Sequence, residues 1–295
     1  MTSKTGAVIR IVLRAQRLAQ KSATIDGVRR MSKITERVFA VPKDVRHEKI
    51  TAGEITYEWL IPRTVASPLI FFHIHGGGFV FPLYDPERYT TAYLARLAGA
   101  RAFLVHYRLA PENPFPAAVE DCAAAYRRLI YEEHIKPGQV VFTGESAGGN
   151  LVITTLLALR ESGDRLPAGA ASICPVMDFE GKGTFHSQDD VMVHPEFAMR
   201  QFDAYRGGTD PHHPLLSPLY ADLKGLPPML VQAGEHEILR SGAELFAESA
   251  RRSGVPVTLH IYPGMWHFWH MFVPYLPEAR EAMDEISRFG LSCMR

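Results

Sequence analysis

The stretch GESAG at residues 144–148 constrains the fold more than any other part of this chain. It follows the apolar run 140–143 and precedes a helix-forming run at 150–160, so a strand, a sharp turn and a helix must fit into few residues. Such a turn has no room for Cβ atoms at Gly144 and Gly148, and glycine also tolerates unusual backbone angles. The pattern G-x-S-x-G in this setting is typical of a nucleophile elbow, which projects a serine hydroxyl above a sheet.

Apolar runs and helical runs alternate along the rest of the chain. Strands are predicted at 55–61, 69–74, 102–105, 140–143, 170–174, 229–233 and 257–262, and helices at 8–19, 88–97, 116–131, 150–160, 195–205, 242–252 and 277–289. This alternation predicts an α/β fold with a mostly parallel sheet covered on both faces. Apolar and polar residues alternate from Ile55 to Ile61, with Glu58 among the polar ones, so we expect that strand to be half-buried.

Four polar side chains come just after predicted strands: His75, Ser146, Glu237 and His267. Function in such sheets lies at the carboxyl ends of the strands, so we expect these groups to converge. Serine needs a base within hydrogen-bond reach, and the base needs an orienting partner. The order serine, acid, histidine then favours Ser146 as nucleophile, Glu237 as acid and His267 as base.

Two alternatives remain at these positions. Glu235 is a second candidate acid, although Glu237 is followed by an apolar pair that would anchor its loop. His270 is a second candidate base, but it lies one helical turn beyond the loop that carries His267.

A developing oxyanion needs donors placed in advance, and two stretches of backbone can supply them. Ala147, directly after the serine, offers one N–H. The loop His75-Gly76-Gly77-Gly78 offers others, because glycine lets the backbone approach a substrate closely. The alternative interpretation of three consecutive glycines is a flexible turn.

Charge and composition exclude several other classes of protein. The formal charge is +0 and the pI about 7.2, so no overall field favours nucleic acid. Three scattered cysteines, no apolar run of membrane-spanning length and no convincing signal peptide indicate a cytoplasmic protein without stable membrane insertion. Neither H-E-x-x-H nor a Cys/His cluster is present, so no metal site is predicted despite these histidine-containing groups: His212-His213, His73 with His75, and Glu235-His236-Glu237.

The N-terminal run at 8–19 predicts an amphipathic helix. Its apolar stripe consists of Val8, Ile11, Val12, Ala15, Leu18 and Ala19, and basic residues lie mainly on the other side. Three roles remain open for it: a lid over a pocket, binding to a membrane surface, or packing on the domain.

Taken together, the motifs resemble the hormone-sensitive-lipase-like (bacterial family IV) esterases of the α/β-hydrolase superfamily. The resemblance covers roughly residues 45–290 and rests on HGGGF at 75–79, YRLAPE at 107–112, FPAA at 115–118, GESAGGN at 144–150 and YPGMWH at 262–267. It implies an eight-stranded sheet flanked by helices, no cofactor, and often a homodimer. It also implies a helical cap from residues 1–45 and an insertion at about 180–215, with residues 46–295 as catalytic domain.

The resemblance implies a role for each motif residue. Ser146, Glu237 and His267 would form the triad, and Gly77, Gly78 and Ala147 would donate to the oxyanion. His75 would order its loop. Two carboxylates depart from the usual aspartates of the family, Glu145 before the nucleophile and Glu237 in the triad, and both keep the charge.

Bulky residues near the glycine loop are expected to narrow the substrate pocket; they are Phe79, Phe81 and Tyr84. The sequence therefore predicts a serine carboxylesterase for small-molecule esters with short to medium acyl chains. A lactone hydrolase with the same triad is the alternative within enzymes. A ligand-binding protein on this fold and a membrane-surface lipase are further alternatives, although the retained His267 argues against the ligand-binding protein.

Overall fold

The structure, a computed structural model, describes residues 3–35, 39–52, 55–181 and 190–294. Its strands are β1 Val45–Ala52, β2 Ile55–Pro62, β3 Ile70–Ile74, β4 Arg101–His106, β5 Val140–Glu145, β6 Gly169–Ile173, β7 Met229–Gly234 and β8 Val257–Tyr262. Its α-helices are α1 Lys4–Gln20, α2 Ile25–Thr35, α3 Asp85–Ala98, α4 Ala117–Arg127, α5 Ala147–Glu161, α6 Pro195–Arg206, α7 Arg240–Arg252 and α8 Pro277–Cys293.

The eight strands form one sheet in the order β1-β2-β4-β3-β5-β6-β7-β8. β2 runs antiparallel to both of its neighbours, and the pairs from β4 to β8 are parallel. The pleat sends neighbouring side chains to opposite faces, so Phe71 joins one apolar cluster and Phe72 the other. Helices cover both faces, and the predicted α/β-hydrolase architecture is confirmed.

The first hairpin differs from the prediction in two ways. β1 was not predicted, because it is an edge strand whose mostly exposed, charged sequence gains its structure by pairing with β2. β2 is not half-buried as expected, since Glu58 on its polar side is only 1 % exposed. Arg88 donates to both Glu58 oxygens, His47 and His106 contact one each, and the pKa of Glu58 falls well below its usual range.

The first helix, α1, lies against the segment that follows β6. Arg17 Nε donates to the carbonyl of Val193 at 3.1 Å, and Gln20 Nε2 to that of Met192 at 2.9 Å. Arg200 of α6 donates to carbonyls at the end of α1. Of the predicted insertion at about 180–215, residues 182–189 lie outside the described ranges. No helix in the described part of the chain combines the length and apolar character needed to cross a bilayer.

Candidate active site

The turn at Ser146 is fixed by backbone contacts on both sides. β5 ends at Glu145 and α5 begins at Ala147, which leaves Ser146 alone with φ 57° and ψ −117°. A positive φ in a non-glycine residue is strained and is common at functional sites. A Cβ on Gly148 would overlap the carbonyl oxygen of Ile74, and one on Gly144 would lie 2.6 Å from that same oxygen. The two glycines therefore allow the turn to pack directly on β3.

The glycine loop after β3 approaches the serine with its backbone exposed to the site. Gly77 and Gly78 have φ of 90° and 60°, which only glycine adopts without strain. Behind the loop, the His75 ring stacks on Tyr107 with centroids 4.2 Å apart. Tyr107 Oη donates to the carbonyls of both His75 and Gly76 at 3.1 Å. The loop is thus held from its buried side.

Two buried carboxyl groups that sequence reasoning did not connect lie beneath this loop. The Gly76 N–H donates to Glu87 Oε1 at 3.0 Å and to Glu145 Oε1 at 2.9 Å. Burial and the neighbouring Glu87 carboxylate raise the pKa of Glu145 well above its ordinary value. Nearby His73 does not neutralise the pair, since burial lowers its pKa to about 3.

The raised pKa of Glu145 favours its protonated form beside Glu87, with which it shares the Gly76 N–H. Glu87 was missed because it belongs to a different helix, where its Oε2 also accepts from the N–H of Tyr84. The motif DPER at 85–88, at the start of a helix, was the signal that could have pointed to it.

Glu237 and His267 are buried next to each other at the ends of β7 and β8. Together with Cys174 they form a cluster in which one ligand-type atom of each lies within 4.8 Å of the others. Glu237 Oε2 accepts from the Gly234 N–H, whereas Glu237 Oε1 and His267 Nδ1 are buried without a hydrogen-bond partner in the described ranges. Burial raises the pKa of Glu237 to about 8 and lowers that of His267 to about 4, because each charged form lacks a charged partner in this resting arrangement.

Cys174 and Asp190 lie beside Glu237 and His267, and neither was predicted as a site residue. We call these four residues the site corner. Cys174 Sγ accepts from the Phe268 N–H at 3.4 Å. Asp190 Oδ1 accepts from the Met192 N–H, its Oδ2 accepts from the Ile238 N–H, and burial raises its pKa to about 6. Asp190 therefore connects the loop of the candidate acid with the segment that touches α1.

The two alternative residues lie in other environments. Glu235 is exposed, and its Oε2 accepts from the Gly264 N–H at 2.7 Å. His270 is buried against β7, where its Nε2 contacts Gln232 Oε1 at 2.9 Å. Neither residue lines the cavity beside Ser146.

A cavity of about 250 Å³ opens beside Ser146. Its walls include Gly77, Gly78, Ser146, His267, Phe81, Phe197, Gln201, Phe202 and Leu239, and Gln20 and Val28 of the N-terminal helices also reach it. Phe79 and Tyr84, predicted as pocket residues, are not among them. Phe79 has a positive φ that turns its ring onto Tyr205, with centroids 3.8 Å apart, and Tyr84 lies at the start of α3.

Comparison with known proteins identifies the family. Residues 71–271 match the model of a family described as having the alpha/beta hydrolase fold. The chain is 39 % identical over 243 residues to the acetyl-hydrolase of Streptomyces hygroscopicus, covering 81 % of both chains. It is 32 % identical over 260 residues to an esterase of Acinetobacter venetianus, covering 87 % of this chain and 85 % of the relative.

Solved structures agree with this assignment. A crystal structure of an esterase from the bacterial hormone-sensitive lipase family superposes with a TM-score of 0.93 at 35 % identity, covering all of both chains. A structure of EstE5 soaked with p-nitrophenyl butyrate gives a TM-score of 0.90 at 32 % identity, covering 99 % of both chains. With its elbow, glycine loop and buried Glu237–His267 corner around one cavity, the chain belongs to the hormone-sensitive-lipase-like branch of the α/β-hydrolases and is a carboxylic ester hydrolase.

Proposed function

We propose that the protein hydrolyses short- to medium-chain carboxylic esters through an acyl-enzyme on Ser146. One observation carries this proposal: Ser146, His267 and the glycine loop line the same cavity, and Ser146 lies there on a turn with a strained, positive φ. Strain of this kind at a serine serves to present its hydroxyl to a substrate.

In the first step, His267 takes the proton of Ser146 Oγ as the oxygen attacks the ester carbonyl. His267 is ready to act as a base at neutral pH, because its lowered pKa keeps it unprotonated. The tetrahedral oxyanion accepts hydrogen bonds from the backbone N–H groups of Gly77, Gly78 and Ala147. His267 then protonates the leaving alcohol, and water cleaves the acyl-enzyme by the same sequence of proton transfers.

Glu237 stabilises the imidazolium that forms during these transfers. A lone carboxylate is costly in this buried corner, as its raised pKa indicates. That cost is offset once His267 becomes cationic, so the interaction is stronger in the transition state than in the resting enzyme. The unpartnered Glu237 Oε1 and His267 Nδ1 are the two atoms that would form this bond. Such bonds are often loose without substrate.

The cavity supports the preference for shorter acyl chains. Its volume is about 250 Å³, and the rings of Phe81, Phe197 and Phe202 lie along it. The name acetyl-hydrolase of one relative is in keeping with a small acyl group. We further propose that α1, α2 and the insertion at about 180–215 form a cap on a catalytic domain of residues 46–295.

A series of p-nitrophenyl esters, from acetyl to palmitoyl, tests the proposal on wild type and Ser146→Ala. We expect the rate to peak at short chains and kcat/KM to fall by about 10⁵-fold or more in the variant. An unchanged rate in folded Ser146→Ala would contradict the mechanism. A wild type that is inactive on every ester but opens lactones would instead favour the lactone hydrolase.

A further inference from the structure

The apolar stripe of α1 faces away from the protein. Val8, Ile11, Val12 and Leu18 are 63 %, 70 %, 57 % and 72 % exposed, whereas Leu13 and Gly6 are the buried residues of the helix. An amphipathic helix of a globular protein normally turns its apolar side inward. This one shows the reverse orientation, so packing of the stripe on the domain, one of the three roles left open by the sequence, does not occur.

Polar bonds on the inner side fix this orientation. Arg10 donates to the carbonyl of Gly264, and Arg17 to that of Val193. Gln20 bonds in both directions, donating to the Met192 carbonyl and accepting from the His194 N–H. At the other end, Ser3 donates its N–H and hydroxyl to Glu278 of α8. Rolling α1 to bury its stripe would break these bonds along the whole helix.

The charge on this surface has a single sign. Residues 3–25 contain five cationic side chains and no carboxylate. Two of the five bond inward, and Lys21 pairs with Glu196 of α6 at 3.9 Å. Lys4 and Arg14 are exposed and form no ion pair with any residue of the described ranges. A second copy that packed α1 on α1 would bring these cations together, which disfavours a dimer through this face. An anionic lipid surface complements both the charge and the apolar stripe.

We propose that the exposed face of α1 docks this protein on anionic phospholipid surfaces. The apolar side chains enter the boundary between head groups and acyl chains, and the basic residues neutralise lipid phosphates. α1 is bonded to residues 192–194 and Gly264, beside the cavity that holds Ser146. Docking would therefore bring the active-site side of the protein close to esters dissolved in the lipid. The proposal is independent of the acyl-enzyme mechanism.

Co-sedimentation with vesicles tests the docking surface. Wild type should bind mixed phosphatidylcholine–phosphatidylglycerol vesicles at low salt, bind pure phosphatidylcholine more weakly, and lose affinity as salt is added. The double variant Ile11→Asp/Val12→Asp should bind the anionic vesicles at least about tenfold more weakly, because it removes apolar contacts and adds repelled charges. Lys4→Glu/Arg14→Glu should weaken binding to a similar degree at low salt.

Leu97→Asp/Leu245→Asp is the matched control, because it places the same two charges at exposed apolar residues of other helices. It should leave binding unchanged. Thermal unfolding of each variant establishes that it is folded. Failure of wild type to bind anionic vesicles, or equal binding by Ile11→Asp/Val12→Asp, would overturn the proposal. A dimeric wild type that binds no vesicles and becomes monomeric in that double variant would assign the face to a second copy.

Discussion

The turn at Ser146 and the helix α1 are held in place by opposite means. At the turn, backbone packs on backbone, and only glycine fits at positions 144 and 148 because an added Cβ would meet neighbouring backbone atoms. α1 instead is held by side chains such as Arg17 and Gln20 that donate to carbonyl oxygens, and its outer side is unpacked. The first arrangement permits one geometry, as a reacting centre requires. The second depends on a few side-chain hydrogen bonds, which can break and re-form. Such a helix suits the proposed roles of α1 as part of a cap over the cavity and as a docking surface for lipid.

The contrast extends to the groups that carry charge. The site corner consists of fully buried carboxyl, imidazole and thiol groups with strongly shifted pKa values. The exposed cations of α1, such as Lys4 and Arg14, lie in solvent instead. We therefore expect substitutions in the site corner to change the rate of ester hydrolysis. Substitutions in α1 should instead change the binding of substrate and of lipid vesicles.

After Ser146 itself, the largest effect is expected at the acid. Glu237→Gln should lower kcat/KM by about 10³- to 10⁴-fold, because the amide cannot stabilise the imidazolium. Glu235→Gln is the matched control: it is exposed and keeps an acceptor for the Gly264 N–H, so its effect should stay within about twofold. Steady-state kinetics on p-nitrophenyl butyrate measures both. A larger loss in Glu235→Gln would identify Glu235 as the acid.

The backbone contact at the elbow should have the next largest effect. Gly148→Ala should lower the free energy of unfolding by about 3 kcal/mol or more, because the new Cβ meets the carbonyls of Ile74 and His75. At Gly163, φ is 74° and an added Cβ would meet nothing within 4 Å. Gly163→Ala should therefore lower the free energy of unfolding by only about 1 kcal/mol, from backbone strain. Urea unfolding compares the two. Equal losses would mean that close packing does not fix the turn.

The carboxyl pair beneath the glycine loop should give an intermediate effect. Glu145→Gln should keep kcat within about threefold, since an amide can accept from the Gly76 N–H and donate to Glu87 as a protonated carboxyl does. Glu145→Leu should lower kcat by about 10- to 100-fold through loss of the buried hydrogen bonds. A Gln variant as impaired as the Leu variant would show that the ionised form at 145 is required.

The smallest effect is expected in α1. Gln20→Ala should raise KM by about two- to fivefold with little change in kcat, because Gln20 reaches the cavity and bonds to Met192 and His194. Gln16→Ala, on the exposed side of the same helix, should leave both constants unchanged. A fall in kcat for Gln20→Ala would mean that α1 helps to position the reacting groups, as the turn at Ser146 does.

The sequence predicts what depends on local geometry. The elbow and the glycine loop could be predicted because their glycines indicate turns that other residues cannot adopt. Glu58 and the Glu87–Glu145 pair were missed, since their environments are built from separate elements. The periodicity of α1 predicted a helix but not which side faces inward, because long polar side chains, rather than the apolar stripe, bind it to the body.

Mass spectrometry of the enzyme quenched during turnover of p-nitrophenyl acetate tests whether Ser146 is the nucleophile. We expect an acetyl group on the peptide that contains Ser146, no such adduct in Ser146→Ala, and loss of turnover with it. Turnover without an adduct, or an acetyl group on another residue with activity retained in Ser146→Ala, would contradict the assignment of Ser146 as the nucleophile.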